Sequence, residues 1–501
     1  MITFRSPWVP FLVALIVFAR VVHGTFHLDD YALLVDPAIT SPDGWLDCFR
    51  LMQTRPLTWL TFWANYQMFG EWAGGYLAVN VLLHAVNAAL VRIVMVRVVP
   101  VDVAVGAAIL FAVHPYAVEP VNSIFARAIL LATLFSLLAM WAWFAGKFWL
   151  AMGWFTVGML AKEECAALPL FFLMYELSAF AGKDRVRPKF AVAAMVAVAC
   201  LFGVRTIAAT KLIAGAGSGF GAGVTPMQYL WTQGRAIGEY ALKVPLPFGL
   251  TIDPDIGPTG WIWWMAIGAG VILASFWFRK LQPGFWILAG LVLLLPSSTV
   301  LPAADLMAFR RMYLPMVAIS VGLASIQFRA WQKWTVLLYF AALSFWLTGF
   351  WHSEMSLWTR AIGESGRVRP RIQLARVLPP IDALSLLEEA QKITPDDGTV
   401  ASEKARVYLT MQQPALALAE FGRALALAPN DPLALANRGS ALAMLGQKEA
   451  AKLDFEHALL LDPCQFDARY NMEKVLGYPV VNSSAGCRWN QVQKRKLGMV
   501  P

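Results

Sequence analysis

The chain has 501 residues, 58% of them hydrophobic and only 15% charged, with 21 Trp and 31 Phe. Soluble domains run at about 45–50% apolar and about 25% charged. This composition, with a mean hydropathy of +0.56, therefore excludes a cytosolic enzyme, a secreted disulfide scaffold and a disordered chain. The net charge of +9 lies largely in short connections between apolar runs, where Lys and Arg set topology. No basic stripe interleaved with aromatics points to nucleic acid.

A bilayer crossing needs about 20 apolar residues, fewer where the flanks are buried in a bundle. Spans are expected near 8–23, 75–96, 101–118, 128–146, 148–161, 165–181, 190–208, 260–278, 284–301, 312–328 and 332–351, eleven in all. An amphipathic stretch at 227–250 reads as re-entrant or surface-lying. The first run, Trp8 to Val22, has no A-x-A-like site and reads as an uncleaved span. With the N-terminus in the cytoplasm, the compact basic turns (Arg97, Lys147, Lys183–Lys189, Arg279-Lys280, Arg329 with Lys333) all fall inside. The opposite side then receives the long loop 24–74, the turn around Glu119, Lys162-Glu163, the Gly-rich loop 209–226, the turn 302–311 and the C-terminal domain. The expected organisation is a membrane domain over 1–358, a repeat domain over 359–478 and a basic tail over 479–501.

The repeat signal is a period of 34. Pro395, Pro429 and Pro463 are in phase, as are Ala417/Ala451, Phe421/Phe455, Ala424/Ala458 and Leu425/Leu459. Small residues at helix crossings and Pro at the repeat end are the tetratricopeptide signature. Ala383, Leu387 and Ala390 mark a degenerate earlier copy, and Gly446 falls in an inter-helix turn. A helical hairpin cannot bury its apolar face alone, so two and a half repeats stack into a short solenoid, a surface that binds polypeptide. Five cysteines form no metal spacing, and Cys464 and Cys487 are placed to pair in an oxidising compartment, though free thiols fit equally well.

Ionisable groups at a membrane boundary are costly and so are functional candidates. The outer side collects Asp29-Asp30, Arg55, His114, Glu119, Arg127, Lys162-Glu163-Glu164 and Arg310-Arg311 with Tyr313; Asn80 and His84 lie within the second span. Paired acids suit a general base, and arginines suit bidentate phosphate recognition. Each also has a plainer role: a solvated turn for Asp29-Asp30, interface snorkelling for each Arg, interhelical hydrogen bonds for Asn80, His84 and His114. No dinucleotide fingerprint or P-loop is present.

Seven segments follow in order: Phe26-x-Leu28-Asp29-Asp30-Tyr31, Arg55–Thr61, Gly75–His84, His114–Val121, Ala161–Glu164, Pro245–Asp253 and Arg310–Pro315. Together with the repeats, they resemble the transmembrane-and-tetratricopeptide O-mannosyltransferases and their bacterial relatives, within the GT-C glycosyltransferase superfamily. That resemblance implies an all-α fold, a polytopic GT-C-like helix bundle followed by the solenoid. It also implies a polyprenyl- or dolichyl-phosphate sugar donor and transfer outside the cytoplasm. Asp29 or Asp30 would be the base, with Glu119 and the Lys162-Glu163 pair at the site. Arg55, Arg127, Lys162, Arg310 and Arg311 are the candidates for the donor phosphate, with His114 and Tyr313 nearby. The expected acceptor is a protein Ser or Thr gripped by the repeats. The rivals are a glycan- or lipid-modifying transferase of the same fold and a non-catalytic scaffold. The site acids can coordinate Mg²⁺ or Mn²⁺, although no spacing demands it. Two positions depart from the family pattern: Ile129 and Phe309 stand where Asp and Glu are expected.

Overall fold

The computed structural model describes residues 6–50, 53–178, 188–212, 224–278, 282–298, 303, 305–480, 487, 489 and 491–499. Among these, every regular element is helical. The expected basic turns at 183–187 and 279–280, and most of the Gly-rich loop, lie outside the described residues. The chain divides into two compact units, residues 1–33 with 41–353, and residues 34–40 with 354–501. The main segment of the second unit thus starts at Glu354, five residues before the expected 359. The reason is local: Glu354–Glu364 is amphipathic and buries Leu357, Trp358 and Ala361.

In the first unit, Ala73–Met95, Arg127–Phe144, Lys189–Ala209 and Ala330–His352 are each long and apolar enough to cross a membrane. Val101–Val113 and Pro115–Asn122 pass together as one span bent by 52°. Proline disfavours the helical region at the residue before it, and His114 is extended at φ −67°, ψ 134°. The expected spans at 8–23, 148–161, 260–278, 284–301 and 312–328 correspond to shorter apolar helices of 10–17 residues. That at 165–181 is broken further, into a 3-10 turn Glu163–Ala167 and the helix Leu168–Leu177, with 179–181 outside the described residues. Among the described residues four helices, or five with the bent pair, are long and apolar enough to cross on their own, and the rest of the eleven expected spans are shorter apolar helices. The amphipathic stretch is the helix Pro226–Lys243, opened by a Thr225/Gln228 capping box.

Helix breaks place the charged side chains. Pro56 at the first helical position fixes the start of Pro56–Phe69 one residue after Arg55. Lys162 is extended between Phe148–Ala161 and the next turn. The 3-10 turn Phe309–Met312 presents Arg310 and Arg311 just before the helix Pro315–Ala324.

The second unit holds three stacked helical hairpins. They are Val368–Ala375 with Pro380–Ile393, Gly398–Thr410 with Pro414–Leu427, and Pro432–Met444 with Lys448–Leu461. The degenerate copy is a full hairpin, half a repeat more than expected; Ala383, Leu387 and Ala390 are all buried in it. An ion pair also repeats at 34 residues: Lys404 with Glu420 at 2.8 Å, then Arg438 with Asp454 at 2.7 Å. The stack ends in a docked tail. Cys464 and Cys487 form a disulfide, Trp489 is buried, and its indole donates to the Cys464 carbonyl at 3.0 Å.

Gly446 turns the third hairpin at φ +76° with open space where a Cβ would stand. Gly446→Ala meets backbone strain alone, about 1 kcal/mol after the glycine entropy is returned. A small fall in the melting temperature of the repeat domain, with helicity unchanged, is the expected reading.

Candidate functional site

The adjacent acids of the first loop have opposite environments. Asp30 is fully buried. Its Oδ1 accepts the Phe125 N–H at 2.7 Å, and its Oδ2 accepts those of His27 at 3.0 Å and Ile124 at 3.4 Å. Burial pushes its carboxyl up to about 7, against the pull of those three donors. Asp29 is exposed. The turn that leads into them is strained, since Leu28 sits at φ +48°, a region that non-glycine residues rarely occupy. His27 anchors it from the other side through Nε2–H to the Trp351 carbonyl at 3.0 Å. Strain held in place by surrounding bonds is common beside reactive groups.

Four distant segments supply an ion-pair cluster. The Arg55 guanidinium is bidentate on Glu163, at 2.6 and 3.2 Å. Lys162 meets Glu164 at 2.6 Å. Arg310 donates to Glu119 through Nη1 at 2.6 Å and through its backbone N–H at 2.9 Å, and to Asp305 through Nη2 at 2.5 Å. Against the desolvation of its surroundings, the Arg55 and Lys162 charges hold the half-exposed Glu163 carboxyl well below the usual carboxylate range. Burial pushes the Lys162 ammonium down despite Glu164. The cluster is open on one side, with the Glu163 side chain 44% exposed.

Other expected site residues are used elsewhere. Arg127 is fully buried: it donates to Asn80 Oδ1 at 2.9 Å, the Thr61 carbonyl at 3.3 Å, the Tyr76 carbonyl at 2.9 Å and Asn65 Oδ1, and its guanidinium stacks on Phe62 and Tyr76. It ties helices together and offers a phosphate no opening. His114 donates from Nε2 to the Val244 carbonyl at 2.9 Å and accepts the Tyr116 N–H at 3.2 Å, so its ring is a helix-break clamp. Tyr313 is buried and donates its hydroxyl to His84 Nδ1 at 2.7 Å, and no charged side chain is among that hydroxyl's partners in the described residues. His84 donates in turn to the Ala112 carbonyl at 3.1 Å. For Asn80, His84 and His114 the interhelical reading therefore holds.

Sequence reasoning missed Asp305 and gave Glu164 no role. Asp305 was legible as the single acid of the 302–311 turn. Its bond to Arg310 also bears on the Phe309 departure: the second carboxylate comes from 305, while Phe309 is buried beside Tyr116 and Tyr240. Ile129 is likewise buried. Among the described residues no three His, Cys, Asp or Glu side chains converge as a metal set. Glu119 and Asp305 close on the Arg310 guanidinium, an internal cation, and so do not fit a metal ion as they stand.

No family model matches the chain. It is 42% identical over 91 residues to a Caenorhabditis elegans protein named Protein O-mannosyl-transferase F38B6.6, a stretch that is 17% of this chain and 13% of that protein. The match thus spans about an eighth of the relative's length. Among solved structures, the crystal structure of the APC/C hetero-tetramer Cut9-Hcn1 aligns over 93% of this chain and 92% of its own, at 13% identity and a TM-score of 0.24, too low to bear on fold or function.

Proposed function

We propose that the chain is a membrane glycosyltransferase that moves a sugar from a polyprenyl-phosphate carrier to Ser or Thr of a protein outside the cytoplasm. The observation that carries the reading is the half-open cluster of Arg55, Lys162, Glu163, Glu119, Arg310 and Asp305, gathered from four segments of an otherwise apolar bundle. Ionisable groups there are expensive unless used. The O-mannosyl-transferase name of the partial relative and the seven ordered motifs support the same chemistry. The Cys464–Cys487 disulfide supports an oxidising compartment for the repeats.

Asp29 is the base of choice, because a base must come within about 3 Å of the acceptor hydroxyl and Asp30 has both oxygens committed to backbone. Asp29 takes the hydroxyl proton and the oxygen bonds to the sugar's anomeric carbon. The bond from that carbon to the phosphate oxygen breaks, and its electron pair leaves with the polyprenyl phosphate. Positive charge near that oxygen stabilises the departure.

Mass spectrometry of extracytoplasmic proteins, with cells carrying the wild-type chain, no chain or Asp29→Asn, tests this. Hexose on Ser/Thr peptides is expected only with the wild type. Identical glycopeptides in all three would remove the enzyme and favour a scaffold acting through the repeats.

A further inference from the structure

Arg311 differs from the other candidate cations. Arg55, Lys162 and Arg310 each touch a carboxylate, and Arg127 is sealed at 0% exposure. Arg311 keeps 8% exposure, and among the described residues its acceptors are neutral oxygens. These are the Asp305 carbonyl at 2.5 Å, the Tyr229 hydroxyl at 3.2 Å and the Leu306 carbonyl at 3.4 Å. A buried guanidinium that lacks a carboxylate carries a desolvation cost that neutral acceptors offset only in part.

Unpartnered polar atoms adjoin it. Gln233, fully buried, donates from Nε2 to the Leu306 carbonyl at 2.9 Å, the same oxygen that accepts from Arg311. That bond fixes the amide's orientation and leaves Oε1 buried without a partner. Tyr229, four residues earlier on the Pro226–Lys243 helix, donates to the Ser297 carbonyl at 3.1 Å. The neighbouring Ser298 is buried, and among the described residues its hydroxyl has no partner. Leaving such atoms unpaired is costly, and a bound ligand or ordered water supplies the missing partners.

The set demands two chemistries at once. A bare anion would answer Arg311 but set negative charge against Gln233 Oε1. A neutral sugar would answer Gln233 and Ser298 but leave Arg311 uncompensated. A glycosyl phosphate has both anionic oxygens and hydroxyl donors. Resting on the glycosyltransferase reading above, we infer that Arg311, Tyr229, Gln233 and Ser298 form the donor's glycosyl-phosphate subsite. Arg311 takes the phosphate oxygens, Gln233 Oε1 accepts a sugar hydroxyl, and Tyr229 and Ser298 brace the wall.

The full-length chain in lipid nanodiscs, titrated with four probes, tests the assignment. The probes are polyprenyl-phosphate mannose, polyprenyl phosphate, uncharged polyprenol and soluble mannose 1-phosphate. The wild type should bind polyprenyl-phosphate mannose at least tenfold more tightly than polyprenol or mannose 1-phosphate. Arg311→Ala should weaken both phosphate lipids about tenfold or more, as loss of a charged hydrogen bond does. Gln233→Leu should weaken the mannosylated lipid about fivefold and leave polyprenyl phosphate within about twofold, as loss of one neutral bond does. If Arg311→Ala does not fold, Arg311→Lys replaces it, with an expected loss of about threefold from the missing fork. Unchanged binding by the Arg311 variant, or equal weakening of both phosphate lipids by Gln233→Leu, overturns the subsite while leaving the enzyme reading in place. Mannose 1-phosphate binding as tightly as the lipid overturns the lipid source. Wild-type binding no tighter for either phosphate lipid than for polyprenol defeats the glycosyltransferase reading itself.

Discussion

Asp29→Asn is expected to lower the rate of sugar transfer by about 10²–10⁴, the usual worth of a positioned base, with the melting temperature unchanged. Among the described residues the exposed Asp29 carboxylate holds no hydrogen bond or ion pair on which the fold depends, so its loss falls on chemistry alone. Asp30→Ala should behave in the opposite way. It strands three N–H groups, of His27, Ile124 and Phe125, in a buried site. At about 1–3 kcal/mol for each buried unsatisfied group, that is enough to prevent accumulation of the folded protein. Asp30→Asn keeps an acceptor for some of these donors and should fold with a loss of about 1–3 kcal/mol. It also reports on pH. Burial raises the Asp30 carboxyl from 3.8 to about 7 in the fold, so the folded chain holds this proton more tightly than the unfolded one. Its contribution to stability is complete below 3.8 and is lost as pH rises through about 7. Melting temperatures of the wild type should therefore decline across that window, and the Asp30→Asn profile should be flatter. Full transfer activity in purified Asp29→Asn, alongside loss of activity in a well-folded Asp30→Asn, would reverse the assignment.

The Asp pair shows what a sequence can and cannot disclose. Both residues were legible as an unusual acidic pair after the first span. Which one is exposed and which buried depends on the backbone at Leu28 and on N–H groups almost a hundred residues away, at Ile124 and Phe125. Arg127 makes the same point. In sequence it looks like Arg55, an arginine next to an apolar run. Only the packing of Asn65, Asn80 and Tyr76 around it reveals a helix tie, whereas Arg55 emerges beside Glu163. The repeats were legible because each position is written again after 34 residues: Ala417, Phe421 and Ala424 are buried, and so are Ala451, Phe455 and Ala458. The ion pairs in the same phase were overlooked because polar positions in a solenoid vary more freely than its packing positions. Apolar runs interrupted by Lys162-Glu163-Glu164 or by Pro315 do not say whether each fragment crosses alone or shares a crossing.

Removing residues 354–501 should abolish modification of the native acceptor protein while donor-lipid binding persists. The cut belongs after Ser353, because Leu357 and Trp358 are buried in the second unit and a cut after Trp358 would leave them exposed. Every cation and carboxylate of the charged cluster, from Arg55 to Arg310, lies before it, as do Asp29 and the Arg311 wall. The last long apolar helix, Ala330–His352, is retained whole. Among its described residues the solenoid gathers no acid–base cluster of that kind; its Lys404–Glu420 and Arg438–Asp454 pairs lie along repeating helices. On the proposed reading its role is to bind the acceptor polypeptide, and a few contact residues are worth several kcal/mol of such binding. Loss of that affinity raises the acceptor concentration needed without removing the reacting groups. A short Ser/Thr peptide at high concentration should therefore restore part of the turnover in the truncated enzyme, with KM raised far more than kcat is lowered. Native-rate modification by the truncated chain would mean the repeats serve another purpose. Loss of donor binding would mean that they, or residues 34–40 that group with them, help to form the membrane site itself.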